Sequence, residues 1–156
     1  MKKYQIGQII CVICIAFFMF TQIRIPKESG ANFEVVSQTT IAKVDTSTLQ
    51  QQDNLEIKQF LSLNPEEYES IVYYKDTDAM KASEFVIVKF KNSDQANQFR
   101  NSIDQRIENQ QKVFDGYIED QASLLKQSIV DIQGNYALYA VLPNAKEVDE
   151  TFLSVI

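Results

Sequence analysis

Histidine is missing from this chain, and its two cysteines, Cys11 and Cys14, both fall within the first 25 residues. Beyond them, neither of the side chains best suited to nucleophilic or acid–base work near neutral pH is available. A G-x-S-x-G elbow and a glycine-rich phosphate loop are also missing, and the whole chain has only four glycines. Acyl, hydride and phosphoryl transfer therefore lack their usual parts, and no cofactor is expected. Without cysteine after residue 14, no internal disulfide staples the rest of the chain, so its core must suffice. Basic residues are scarce as well: residues 31–156 carry 11 against 20 acidic ones. A field of that sign repels phosphate backbones and anionic head groups, so no nucleic-acid partner is expected.

What is present begins at the N-terminus. Lys2 and Lys3 precede an unbroken apolar run from Ile9 through Phe20 that continues patchily to Ile25. Between Ile6 and Ile23 only Gly7, Gln8, Thr21 and Gln22 interrupt it. A helix over that stretch is roughly 27 Å long, close to the hydrocarbon thickness of about 30 Å. The expected organisation is a cytoplasmic tail at 1–5, a single transmembrane helix at 6–25 with the bilayer as its partner, a linker at 26–31 and a domain at 32–156. The two leading lysines place the N-terminus in the cytoplasm and the domain outside, although Arg24 and Lys27 match them in number. A signal peptide cut near Ser29-Gly30-Ala31 is the alternative. Against it stand Arg24, Pro26, Lys27 and Glu28, which fill the gap between the apolar run and that site. Cys11 and Cys14 have C-x-x-C spacing, but inside an apolar run they lack the context of a redox or zinc site. Ile10 and Ile13 precede them, where a lipid-attachment cysteine wants a small residue.

In the remainder, Phe33, Val36, Thr40, Ile41 and Val44 recur at helical spacing. Thr46 to Asn54 is polar and reads as a connection, with Asp53 as N-cap of a short helix carrying Leu55, Phe60 and Leu61. Two strands follow, Ile71 to Lys75 and Glu84 to Lys91. The second places Val86, Val88 and Phe90 on one face and Phe85 and Ile87 on the other, so it is buried on both sides. Asn92-Ser93-Asp94 offers cap chemistry for a long helix with Ala96, Phe99, Ile103, Ile107 and Phe114 in register. Gly116 suits a left-handed stop, and Ile118 to Gln127 reads as another helix with Leu124 and Leu125 inward. Gly134-Asn135 predicts a two-residue hairpin turn between Ile129–Gln133 and Tyr136–Leu142. After Pro143, a closing helix presents Val148, Phe152 and Ile156. The expected fold class is α+β: one antiparallel sheet of about four strands packed against helices, preceded by the transmembrane helix.

The run Ser83 to Lys89, then Gln105 to Gln110, Phe114, Gly116-Tyr117, Gln121 and Gly134-Asn135-Tyr136, resembles a family of small bacterial domains of unknown function. The resemblance covers the chain from about residue 33 to its end. It implies an N-terminal membrane anchor or lipoprotein signal and a mainly Gram-positive distribution, and it carries no activity or ligand.

Carboxylate chemistry of the glycosidase kind needs two acids about 5–10 Å apart, one of them with a raised pKa. Glu84, opening the buried strand, is the nominee. Arg106 in the long helix is a natural partner for it, which favours a structural ion pair over catalysis. Asp76-Thr77-Asp78 invites a calcium reading, but Lys81 and Ile87 stand where such a loop needs glycine and glutamate, so a solvated acidic turn and no metal are expected. Tyr68, Tyr73, Tyr74, Tyr117, Tyr136 and Tyr139 supply binding chemistry, and are read first as core or sheet-flank residues. Glu84, Arg106 and Tyr117 are the binding candidates, each with that structural reading placed ahead of it. Function is expected to be that of a membrane-tethered, non-enzymatic module outside the membrane that binds an envelope protein or cell-wall component. The alternative is a carboxylate-dependent hydrolase of cell-wall glycan.

Overall fold

Apolar side chains on both sides of two adjacent strands dictate the layering of this domain. Glu84–Lys89 and Tyr136–Val141 pair antiparallel, with Val86 opposite Tyr139 and Ile87 opposite Leu138. Every residue of the second strand is buried, and so are all of the first except Lys89. A sheet apolar on both faces must be covered on both.

The structure is a computed structural model that describes residues 28–156. The expected tail, anchor and start of the linker lie outside the described residues. In chain order the elements are α1 (Phe33–Ile41), β1 (Leu49–Gln51), α2 (Asn54–Leu61), a 3₁₀ turn (Pro65–Glu67), β2 (Ser70–Asp76), β3 (Glu84–Lys89), α3 (Asp94–Phe114), α4 (Glu119–Lys126), β4 (Ile129–Gln133), β5 (Tyr136–Val141) and α5 (Ala145–Val155). The strands form one sheet in the order β1-β2-β3-β5-β4, antiparallel throughout. On one face Tyr73, Val86, Val88, Ala137 and Tyr139 pack with Ile57 and Leu61 of α2, Phe99 and Ile103 of α3 and Leu125 of α4. On the other, Val72, Phe85, Ile87, Leu138 and Ala140 pack with Val36 of α1 and Val148 and Phe152 of α5. Each of these large side chains contributes about 1.5–3 kcal/mol by leaving water.

The α+β class, the single antiparallel sheet and the Gly134-Asn135 hairpin agree with the sequence reading. Gly134 has φ 58°, while Asn135 stays at negative φ, the backbone pattern of a type II′ turn. Asp53 caps α2 as expected: its Oδ1 accepts from the Leu55 and Glu56 amides at 2.8 and 2.9 Å. Glu56 reciprocates by accepting from the Asp53 amide. Gly116, at φ 75°, follows the end of α3.

Two details differ. The sheet has five strands rather than four, because the polar stretch at 46–54 contains β1. Its three residues pair with Asp76, Lys75 and Tyr74, and only Leu49 turns inward. Two glutamines on an edge strand leave no apolar alternation to read. Leu55 is 71% exposed, since Ile57 and Leu61 take the inward positions of α2. At the start of α3 the expected cap chemistry is supplied by Asn92, whose Oδ1 accepts from the Asp94 amide at 3.2 Å, while Ser93 makes no capping bond. Gln95 Oε1 accepts instead from the amides of Lys91 and Asn92, just ahead of the helix.

Candidate functional site

Glu84 opens β3, and the period-two alternation of a strand puts its side chain on the face shared by Val86 and Val88. Tyr73 of β2 and Tyr139 of β5 lie directly opposite Val86 from either side, so both rings flank the carboxylate. Arg106 stands one turn beyond the buried Ile103 on the sheet-facing side of α3. The carboxylate accepts four hydrogen bonds. Oε2 takes the Tyr73 hydroxyl at 2.6 Å and Arg106 Nη2 at 2.8 Å. Oε1 takes Arg106 Nε at 3.0 Å and the Tyr139 hydroxyl at 2.9 Å. The Glu84 side chain is 1% exposed and that of Arg106 12%. Phe60 covers the guanidinium, its ring centroid 5.5 Å from Cζ, within reach of a cation–π attraction.

Burial, followed by the charge of Glu84, pushes the Tyr73 and Tyr139 hydroxyls well above the ordinary tyrosine range. Both stay protonated donors. Burial alone would lower Arg106, but the hydrogen bonds and charge of Glu84 outweigh it and hold the guanidinium charged. With each oxygen doubly engaged, the carboxylate offers no free lone pair to a substrate proton.

The structure thus brings Glu84 and Arg106 together and adds two tyrosines to them. Tyr117 is elsewhere. Read first as packed, it is 80% exposed, because the turn through Gly116 that reverses the chain between α3 and α4 carries it outside. Tyr68 and Tyr136 are buried in opposite layers, and Tyr74 stacks on Phe85 with ring centroids 4.9 Å apart. Asp76, expected in a solvated turn, is 7% exposed. Its oxygens accept from the Thr48 hydroxyl at 3.0 Å and the Asp78 amide at 2.9 Å, so it ties the β2–β3 loop to β1. Among the described residues no group of three or more His, Cys, Asp or Glu side chains could hold a metal ion.

Sequence reasoning missed one pair of acids. Asp149 of α5 lies against Asp131 of β4, and its Oδ1 is buried without a hydrogen-bond donor among the described residues. Burial, then the charges of Asp131 and Glu150, raise Asp149 to about 6 from an ordinary 3.8. No sequence signal could have shown this, since the two residues are brought together only by the packing of α5 on the sheet. The folded state holds a proton that the unfolded chain has released, so stability falls as pH rises through the window from about 4 to about 6. A full shift of that size corresponds to ~3 kcal/mol, and solvent screening of this partly exposed pair reduces it to about 1 kcal/mol. Asp149→Asn is therefore expected to stabilise the protein by about 1 kcal/mol at pH 7 and to leave it unchanged at pH 4. Urea midpoints measured at both pH values check this, and an equal gain at both would remove the explanation.

Two shallow clefts lie at opposite ends of the sheet. One, of about 300 Å³, is lined by Glu28, Asn92, Ser93, Ala96, Ile132 and Asn135. The other, of about 330 Å³, is lined by Lys43, Asp45, Thr48, Ser83, Pro143 and Asn144.

A family described as a domain of unknown function (DUF4358) matches residues 42–142. That span holds the sheet and the α2–α4 layer, whereas α1 and α5 fall outside it. No curated protein matches the chain, and no solved structure does.

Proposed function

We propose, for a chain that belongs to the DUF4358 family of domains of unknown function, that it is a membrane-tethered binding module displayed outside the cytoplasmic membrane. The observation that carries this reading is the saturation of Glu84. The side chain best placed for carboxylate catalysis has its four acceptor positions taken by Arg106, Tyr73 and Tyr139. Freeing one would leave a buried donor unpaired, at a cost of about 1–3 kcal/mol before any substrate is bound. Hydrolysis of wall glycan through Glu84 is disfavoured on the same ground. Recognition then falls to the surface, where an envelope protein or cell-wall component is the proposed partner.

Tethering is supported by the apolar run from Ile9 to Phe20. Among the described residues no helix is long and apolar enough to cross a membrane, and the tethering role is proposed for residues 6–25 on their sequence. Display outside is inferred from Lys2 and Lys3 at the head of the apolar run, set against an equal count in Arg24 and Lys27 on its other flank. Protease added to bacterial spheroplasts expressing the chain with a C-terminal epitope is expected to remove the epitope without lysis. Full protection of the epitope would overturn the proposal.

A further inference from the structure

The chain enters the domain through a clamp. Asn135, in the β4–β5 turn, accepts from the Ser29 amide through Oδ1 at 2.8 Å. Its Nδ2 donates to the Ser29 carbonyl at 3.1 Å. One side-chain amide thus pairs with both backbone groups of a residue 106 positions away, as a neighbouring strand would. Beside it, the Tyr136 hydroxyl donates to the Ala31 carbonyl at 2.8 Å, and Lys89 Nζ approaches the same oxygen at 3.4 Å. The Phe33 ring then stacks on Tyr136, with centroids 6.4 Å apart and planes within 9°. Residues 29–33 are tied to the body of the domain at one end of its sheet.

Only Pro26, Lys27 and Glu28 separate Ile25 from that clamp, a span of about 14 Å even when fully extended. The cleft beside the clamp is lined by Asn92, Ser93, Gly134 and Asn135 with Ala96 and Ile132, and Glu28 is its one charged residue, a lining with little charge to oppose a zwitterionic head-group layer. β5 leads away from it, and at about 3.3 Å per residue its far end lies roughly 17 Å distant. At that far end are the β2–β3 loop and the Pro143-Asn144 corner. A loosely tethered acidic domain would be pushed off an anionic leaflet, whereas a clamped one is not free to leave.

We propose that the domain is mounted end-on, with the β4–β5 turn and the start of α3 against the bilayer and the β2–β3 loop held outward. This rests on the reading of residues 6–25 as the anchor. The test uses the full chain carrying Cys11→Ser and Cys14→Ser, reconstituted into phosphatidylcholine nanodiscs with a quencher on the lipid head group. A fluorophore is attached through Ser93→Cys at the near end or Ala79→Cys at the far end, both exposed positions. Quenching is expected to be at least threefold stronger at 93 than at 79. Adding Asn135→Ala is expected to bring the two within twofold. Equal quenching at both positions with Asn135 intact would overturn the mounting, and an undiminished difference after Asn135→Ala would overturn its assignment to this clamp. Failure of the protein to incorporate into nanodiscs would instead overturn the anchor itself.

Discussion

Glu84→Ala is expected to destabilise the domain by about 3–5 kcal/mol, the usual cost of stranding one member of a buried ion pair. Arg106 would keep its charge under Phe60 with its bidentate acceptor gone, and the Tyr73 and Tyr139 hydroxyls would lose theirs. Glu84→Gln keeps the shape and one acceptor oxygen, so it is expected to cost less, though its amide would point hydrogens at donors. Coupling is the sharper signature. Glu84→Ala combined with Arg106→Ala should cost clearly less than the sum of the two single changes, because the second removes the charge that the first leaves uncompensated. Urea denaturation of the full chain in detergent, followed by tyrosine near-UV circular dichroism, measures all of these. A loss under about 1 kcal/mol for Glu84→Ala would mean that water reaches the network and that its members behave as surface charges.

Phe152→Ala is expected to cost a comparable amount, about 3–5 kcal/mol. Phe152 is fully buried and meets the Tyr136 ring edge-on at 6.4 Å. Through α5 it closes the sheet face carrying Phe85, Ile87 and Leu138. The family match stops at residue 142, so the side chain that seals this face comes from outside the matched span. Loss of that seal should appear both as a lower urea midpoint and as binding of an apolar dye to the uncovered face. A negligible effect on either would indicate that the span 42–142 holds its shape with one face of the sheet left open, contrary to the layering described above.

Much of the architecture was legible because its signals are local. The helix at Asp94–Phe114 announces itself through apolar residues at three- and four-residue intervals, a pattern that only a 3.6-residue repeat brings to one side. Gly134-Asn135 marks a hairpin because few residue pairs adopt the backbone of that turn. Even the double burial of β3 was readable, since Phe85 to Val88 leaves no polar face to turn toward water. β1 escaped notice because an edge strand of three residues, two of them glutamine, owes its existence to β2 rather than to its own composition. Asn92 and Ser93 show the same limit at smaller scale: both residue types can cap a helix, and the path of the loop selects Asn92.

Glu84 and Arg106 are 22 residues apart, and a charge on a buried strand implied a partner of opposite sign somewhere on the covering helix. The two tyrosines that complete the site were seen in the sequence as rings, not as donors, because their aim depends on the register of β2 and β5 against β3. Asp131 and Asp149 carried no signal at all. Residue order and periodicity thus settled every element but β1, most inward faces, the missing catalytic parts and the apolar leader, since each of these depends on neighbours within a few positions. Which face α1 and α5 cover, where the chain is clamped by Asn135, and which carboxylates meet all depend on groups brought together from opposite parts of the chain. Those contacts exist only once the sheet has closed, because their energy comes from burial and hydrogen bonding that the extended chain cannot make.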